Sequence, residues 1–223
     1  MKTLDRVGAF SGAAWVLLAN ISSALVGNPT GDGGSRGQQI LDEPQRIADN
    51  PWTRLALALA ILGNMGLIMF IGYLCWRVRD GRWLATTAIV GGTLAVIANL
   101  TSMALVLTTS ALRDEMSPEL AHTLENLDGA GHWVQSLPLG VFVLFVSAAA
   151  LLTHAFNRVL AWAGVAVGAI SIIVLAASGL PVIDDSFAWP FLLVLVWALV
   201  VSLWLGFART RKPAPSSTAA PAS

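Results

Sequence analysis

Three asparagines sit in oily surroundings: Asn20 in WVLLANISSALV, Asn64 in AILGNMGLIMF and Asn99 in LAVIANLTSMALV. A lone amide in lipid is costly, so each should turn inward and bond another side chain or the backbone. Two readings follow. The amides are polar glue between helices, or they line a polar pocket. Thr101, Ser102, Ser22 and Ser23 add hydroxyls nearby, and Gln135 and Ser136 are further candidates for the lining. By residue count, Asn20 and Asn64 lie at a similar depth and Asn99 about a turn further out. The strings NIS and NLT match glycosylation acceptors, but both lie inside apolar runs and are discounted.

Other chemistry finds little support. There is no HExxH, GxSxG or P-loop string, and no paired carboxylate within an apolar run. Without an acid at depth to activate water or a nucleophile, the sequence argues against an enzyme, a proton pump or a carboxylate-based ion carrier. His132 and His154 flank one apolar run, but each would need a second histidine to hold a haem, and only His122 remains. His122 and His132, with Glu125 or Asp128, match no recognised metal-ligand spacing. Cys75 is the only cysteine, so an intramolecular disulfide is impossible. Its neighbours supply no clear activation, so an inert thiol is expected. No cofactor and no metal is expected.

The elements that must carry these residues are membrane spans. Of 223 residues, 56% are hydrophobic and 12% charged, against about 25% charged in a soluble domain. Mean hydropathy is +0.70. The net charge of zero gives no general attraction to nucleic acid. Six runs are long enough to cross a hydrocarbon core: Val7–Gly27, Thr53–Trp76, Trp83–Thr108, Trp133–His154, Val159–Leu180 and Phe187–Phe207. In lipid every backbone group must be paired internally, so the fold class is all-α, a polytopic helical bundle. Pro138 should bend the fourth span locally, and Pro181 should stop the fifth. A cleaved signal peptide competes for the first run, but that run is longer than a typical signal core.

Charge gives the direction. With the N-terminus inside, nine of thirteen basic residues are cytoplasmic and four (Arg36, Arg46, Arg54, Arg113) are outside. That follows the positive-inside rule and predicts a plasma-membrane protein with both termini cytoplasmic. Trp52, Trp76, Trp83, Trp133 and Trp189 fall near span ends, where amphipathic rings prefer the interface. Eleven of thirteen acids fall outside. The acidic outer face would suit a protein partner or a cationic ligand. The arginine-rich, alanine-rich composition hints at a bacterial source.

Two sizeable outer segments remain. In the first, residues 28–52, Asp42 and Pro44 have helix-start chemistry. In the second, Ser117, Pro118 and Glu119 form an N-cap signature, and Leu120, Leu124 and Leu127 recur at helical spacing. A short amphipathic helix ending near Gly129 is expected there. It would lie in the headgroup layer, or pack with Ile40, Leu41 and Ile47 as a lid over the first four spans. The six spans make one membrane domain, residues 1–208, and composition predicts a disordered cytoplasmic tail at 209–223. Gly8 with Gly12 and Gly164 with Gly168 give two spans small-residue faces, suited to packing within the chain or to a dimer interface.

The order of features resembles the uncharacterised bacterial six-span family known as domain of unknown function 4386. ADNPWTRL leading into the second span and NRVLAWAG opening the fifth carry the likeness. It implies the same architecture over roughly Arg6–Phe207 and brings no activity or site residues. The resulting expectation is an accessory, structural or partner-binding membrane protein. The alternative is a small transporter or ligand-binding protein with an asparagine-lined cavity open to the outside.

Overall fold

The computed structural model describes residues 3–26, 51–112, 115, 117–177 and 189–207. Asp42, Pro44, the strip of Ile40, Leu41 and Ile47, Pro181 and the tail 209–223 lie outside the described residues. Helices account for nearly all of the remainder: α1 (Thr3–Val26), α2 (Thr53–Arg77), α3 (Trp83–Ala111), α4 (Pro118–Thr153), α5 (Arg158–Ala177) and α6 (Trp189–Phe207). A 3-10 turn at Arg79–Gly81 joins α2 to α3, and there is no strand among the described residues. All six helices contain a stretch long and apolar enough to cross a membrane. The chain is a polytopic membrane protein.

Each helix packs on the next in sequence, and α6 returns to α1, so the six form a closed ring. Leu62, Met65 and Ile68 of α2 and Val90, Leu94 and Ile97 of α3 are exposed on its outside. An apolar exterior is the surface lipid requires, because hydrocarbon cannot hydrogen-bond a polar one.

One end of the ring is basic. It holds the tight turns 78–82 and 154–157 and the start of α1, with Arg6, Arg77, Arg79, Arg82 and Arg158. Arg77 ties the two turns together, its Nε donating to the Ala155 carbonyl at 3.0 Å. Arg82 (φ 52°) and His154 (φ 51°) take left-handed backbone angles to make the reversals. Asn157 caps α5, its Oδ1 accepting from the Val159 amide at 2.8 Å. The largest fully buried side chains cluster in this basic half: Leu67, Phe70 and Leu74 on α2, Leu139 and Phe142 on α4, and Leu205 on α6.

The small-residue faces are used inside the molecule. Gly8 and Gly12 of α1 seat the rings of Tyr73 and Phe70 from α2. Gly168 of α5 lies against α4 so closely that a Cβ there would stand 2.5 Å from the Leu144 backbone nitrogen. Without a hydrophobic driving force between helices in lipid, such close backbone approach supplies the packing energy.

Helix α4 differs from expectation. The helix foreseen in the second outer segment forms, capped by Ser117, whose Oγ accepts from the Leu120 amide at 3.3 Å with Pro118 in the first turn. It does not stop at Gly129. It runs on through the fourth span and Pro138 to Thr153, 36 residues in all. At 1.5 Å per residue that is about 54 Å, well beyond a hydrocarbon core of about 30 Å. The reason is packing. α3 and α4 make the most extensive helix pair in the structure, so a glycine with no helix end to cap remains helical.

Candidate functional site

The amide side chains of the spans collect in the half away from the basic end. Register explains which of them meet. Gly92 of α3 packs on Ile71 of α2. Seven residues further along each antiparallel helix are Asn99 and Asn64. The Asn99 Nδ2 donates to the Asn64 Oδ1. The Asn64 Nδ2 in turn donates to the Ala60 carbonyl of its own helix at 3.1 Å. The two amides thus form a short chain joining α3 to α2, and both are half-buried.

Asn20 does not join that chain. It is exposed, and its Nδ2 donates to the Val16 carbonyl one turn back on α1 at 2.7 Å. Ser22 makes the α1–α2 link on this side, donating to the Ala56 carbonyl at 2.8 Å. Ser23 and Thr101 bond back to their own helices, to Ala19 and Ile97. Gln135 is buried on α4 and Ser136 beside it is half-buried. Gly91 of α3 rests against the Pro138 carbonyl and the Phe142 amide of α4. That register places Gln135 within about a turn of the level of Asn99.

Ser102 stands out. Three residues beyond Asn99 on α3, it is 5% exposed, and its hydroxyl has no hydrogen-bond partner among the described residues. Ser147 of α4 is in the same condition in the basic half, wedged against Gly164 of α5 beside Trp197 of α6. The Trp197 indole spends its proton on the Leu160 carbonyl at 3.1 Å.

One polar contact escaped the sequence reading. The Ser202 hydroxyl of α6 reaches the backbone of α1. It accepts from the Ala13 amide at 2.8 Å and donates to the Ala9 carbonyl, the donor and acceptor of one helical turn. The signal was available: a single hydroxyl in the apolar run VVSLWLG, the same kind of clue as the asparagines.

The remaining candidates are placed but not assembled. His122, Glu125, Asp128 and His132 all fall on α4, and their side chains lie outside the described residues. Among the described residues no group of three or more His, Cys, Asp or Glu could hold a metal ion. Cys75 is buried and free. His154 is exposed at the end of α4. Leu120 and Leu127 are exposed and Leu124 is half-buried. Chemically, this half of the bundle can accept and donate neutral hydrogen bonds. Comparison with family models, with curated proteins and with solved structures finds no match to the chain.

Proposed function

We propose that the chain is an accessory, structural or partner-binding protein of a bacterial plasma membrane that catalyses nothing of its own. The Asn99–Asn64 bond carries this reading. Two of the three amides that chemistry would have needed are consumed in joining α3 to α2, and the third bonds its own backbone. Side chains used up in packing activate neither water nor a nucleophile. The basic end faces the cytoplasm, in keeping with the nine-to-four division of basic residues. The acidic opposite end, where Glu115 and Glu119 are exposed, meets a cationic partner or ligand. The likeness to the six-span family of unknown function belongs to the same reading and adds only an architecture.

Two experiments test it. Alkaline phosphatase fused after residue 80 should be inactive, and fused after residue 120 active; the reverse sinks the orientation. An Asn64→Leu/Asn99→Leu double variant that keeps its stability should still complement a deletion strain.

A second reading, a small transporter or ligand-binding protein, draws support from the buried Gln135 and the unpartnered Ser102 hydroxyl beside the asparagine pair. Loss of complementation by the stable double variant would favour it over the first.

A further inference from the structure

The basic end carries a regular association of arginine with tryptophan. Arg79 stacks over the Trp76 ring, its Cζ 5.5 Å from the centroid. Arg82 adjoins Trp83, which is 66% exposed and meets Phe145 edge-on at 5.8 Å. Arg158 and Trp162 are four residues apart on α5, one turn along a shared face, and Trp162 is 60% exposed. Each pairing brings an arginine and an amphipathic ring to the same span end. Such rings settle at headgroup depth.

The charge there is little offset. The described basic end has five arginines and two acids, Asp5 and Asp80. Asp80 approaches the Arg79 Nε only to 3.9 Å, with both side chains largely in the open. An exposed pair of that kind contributes little. Arg77 is set apart from the others, because it is engaged with Ala155 and with the Tyr73 hydroxyl at 3.2 Å. That engagement also makes the surface a fixed platform, with Val78 and Phe156 buried beneath it. A platform already ordered loses less entropy on binding.

We propose that this end of the bundle is a docking surface for anionic phospholipid headgroups, with Arg79, Arg82 and Arg158 as the phosphate-binding groups and Trp76, Trp83 and Trp162 setting their depth. The planar guanidinium matches phosphate geometry two bonds at a time. The partner is lipid because the rings place the charges at the membrane surface, at the depth of the lipid phosphates. The inference rests on membrane embedding and is independent of which compartment the basic end faces.

The test is lipid binding by the purified full chain in detergent, titrated separately with phosphatidylglycerol and with phosphatidylcholine of the same acyl chains, and read by native mass spectrometry. The wild type should retain phosphatidylglycerol in preference, and the preference should fall as salt rises. Each of Arg79→Gln, Arg82→Gln and Arg158→Gln should lower the ratio of the two lipids by about fivefold. Arg54→Gln, at the opposite end, should leave it unchanged. If one of the three variants fails to fold, the other two carry the test. Equal binding of both lipids by the wild type would overturn the proposal. So would an Arg54→Gln effect as large as those of the other three.

Discussion

The two halves of the bundle hold together by different means. In the basic half, polar links such as Ser202 to α1 and Trp197 to Leu160 are set within close packing: glycines admit aromatic rings and bare backbone, and large side chains such as Phe70, Phe142 and Leu139 are fully buried. In the opposite half few side chains are buried among the described residues, and helices are joined by single polar contacts: Ser22 to Ala56, and Asn99 to Asn64. Close packing sums many small dispersion terms and tolerates little change of shape. A polar contact is one bond, worth about 0.6 kcal/mol on average between membrane helices and at most about 1.7. The fold should therefore be anchored from the basic end, with the polar half freer to adapt to a partner or ligand.

The sharpest way to break that contrast is to overfill a glycine contact. Gly168→Ala puts a methyl against the backbone of α4, where no side chain can swing aside. We expect a loss of roughly 1–3 kcal/mol or more in reversible unfolding from mixed micelles. Gly72 is the control, since nothing lies within 4 Å of a Cβ placed there. Gly72→Ala should be neutral, or stabilising by up to about 1 kcal/mol through helix propensity. Equal losses from the two substitutions would mean that α5 and α4 are not packed as closely as described.

Ser202→Ala should cost less, about 0.6–1.7 kcal/mol. Its removal takes a link out between α6 and α1, while the Ala13 amide keeps the Ala9 carbonyl of its own helix as a partner. The amide of Ala13 should then exchange with solvent hydrogen no faster than in the wild type. Faster exchange would show that the serine, and not the helix, protects that amide.

The smallest effect lies at the start of α4. A backbone hydrogen bond and the Ser117 side chain hold the Glu119 carboxyl below its ordinary value of 4.5. A folded-state value below the unfolded one means that the ionised form favours the folded helix start. That contribution is present above the ordinary value and is lost as pH falls through the lowered one. The protection of the Leu120 amide and its neighbours, measured against their intrinsic exchange rates, should fall in acid, and Glu119→Gln should remove that fall while the rest of the bundle is unaffected.

Much of this architecture was legible as a run of apolar residues. The second span was expected at Thr53–Trp76 and is Thr53–Arg77; the sixth was expected at Phe187–Phe207 and is Trp189–Phe207. Hydropathy failed where a helix is not apolar. The first turns of α4 are polar, so nothing in composition said that they would continue into the span. Depth was misjudged for a related reason. Counting from span ends put Asn99 about a turn beyond Asn64, as though α2 ended and α3 began at one height. The Ile71–Gly92 contact shows α3 starting about a turn further toward the basic end, which brings the amides level. Asn64 and Asn99 find each other while the Ser102 and Ser147 hydroxyls find no partner among the described residues; which partner a polar group meets depends on register, and a single sequence does not carry register. Asn20 took the nearest backbone carbonyl instead of a neighbour's amide, since α1 leaves it on an exposed face.

The Asn64–Asn99 contact is the link on which the account of the polar half depends, and a double-mutant cycle tests it most directly. Asn64→Leu, Asn99→Leu and the double variant would be unfolded reversibly in mixed micelles beside the wild type. If the amides are partners, each single variant strands the other amide in an apolar setting, and the double variant relieves it. The double loss should then be smaller than the sum of the single losses by about 0.6 kcal/mol, and by no more than about 1.7. Strictly additive losses would contradict the pairing and return both amides to the role of independent pocket lining.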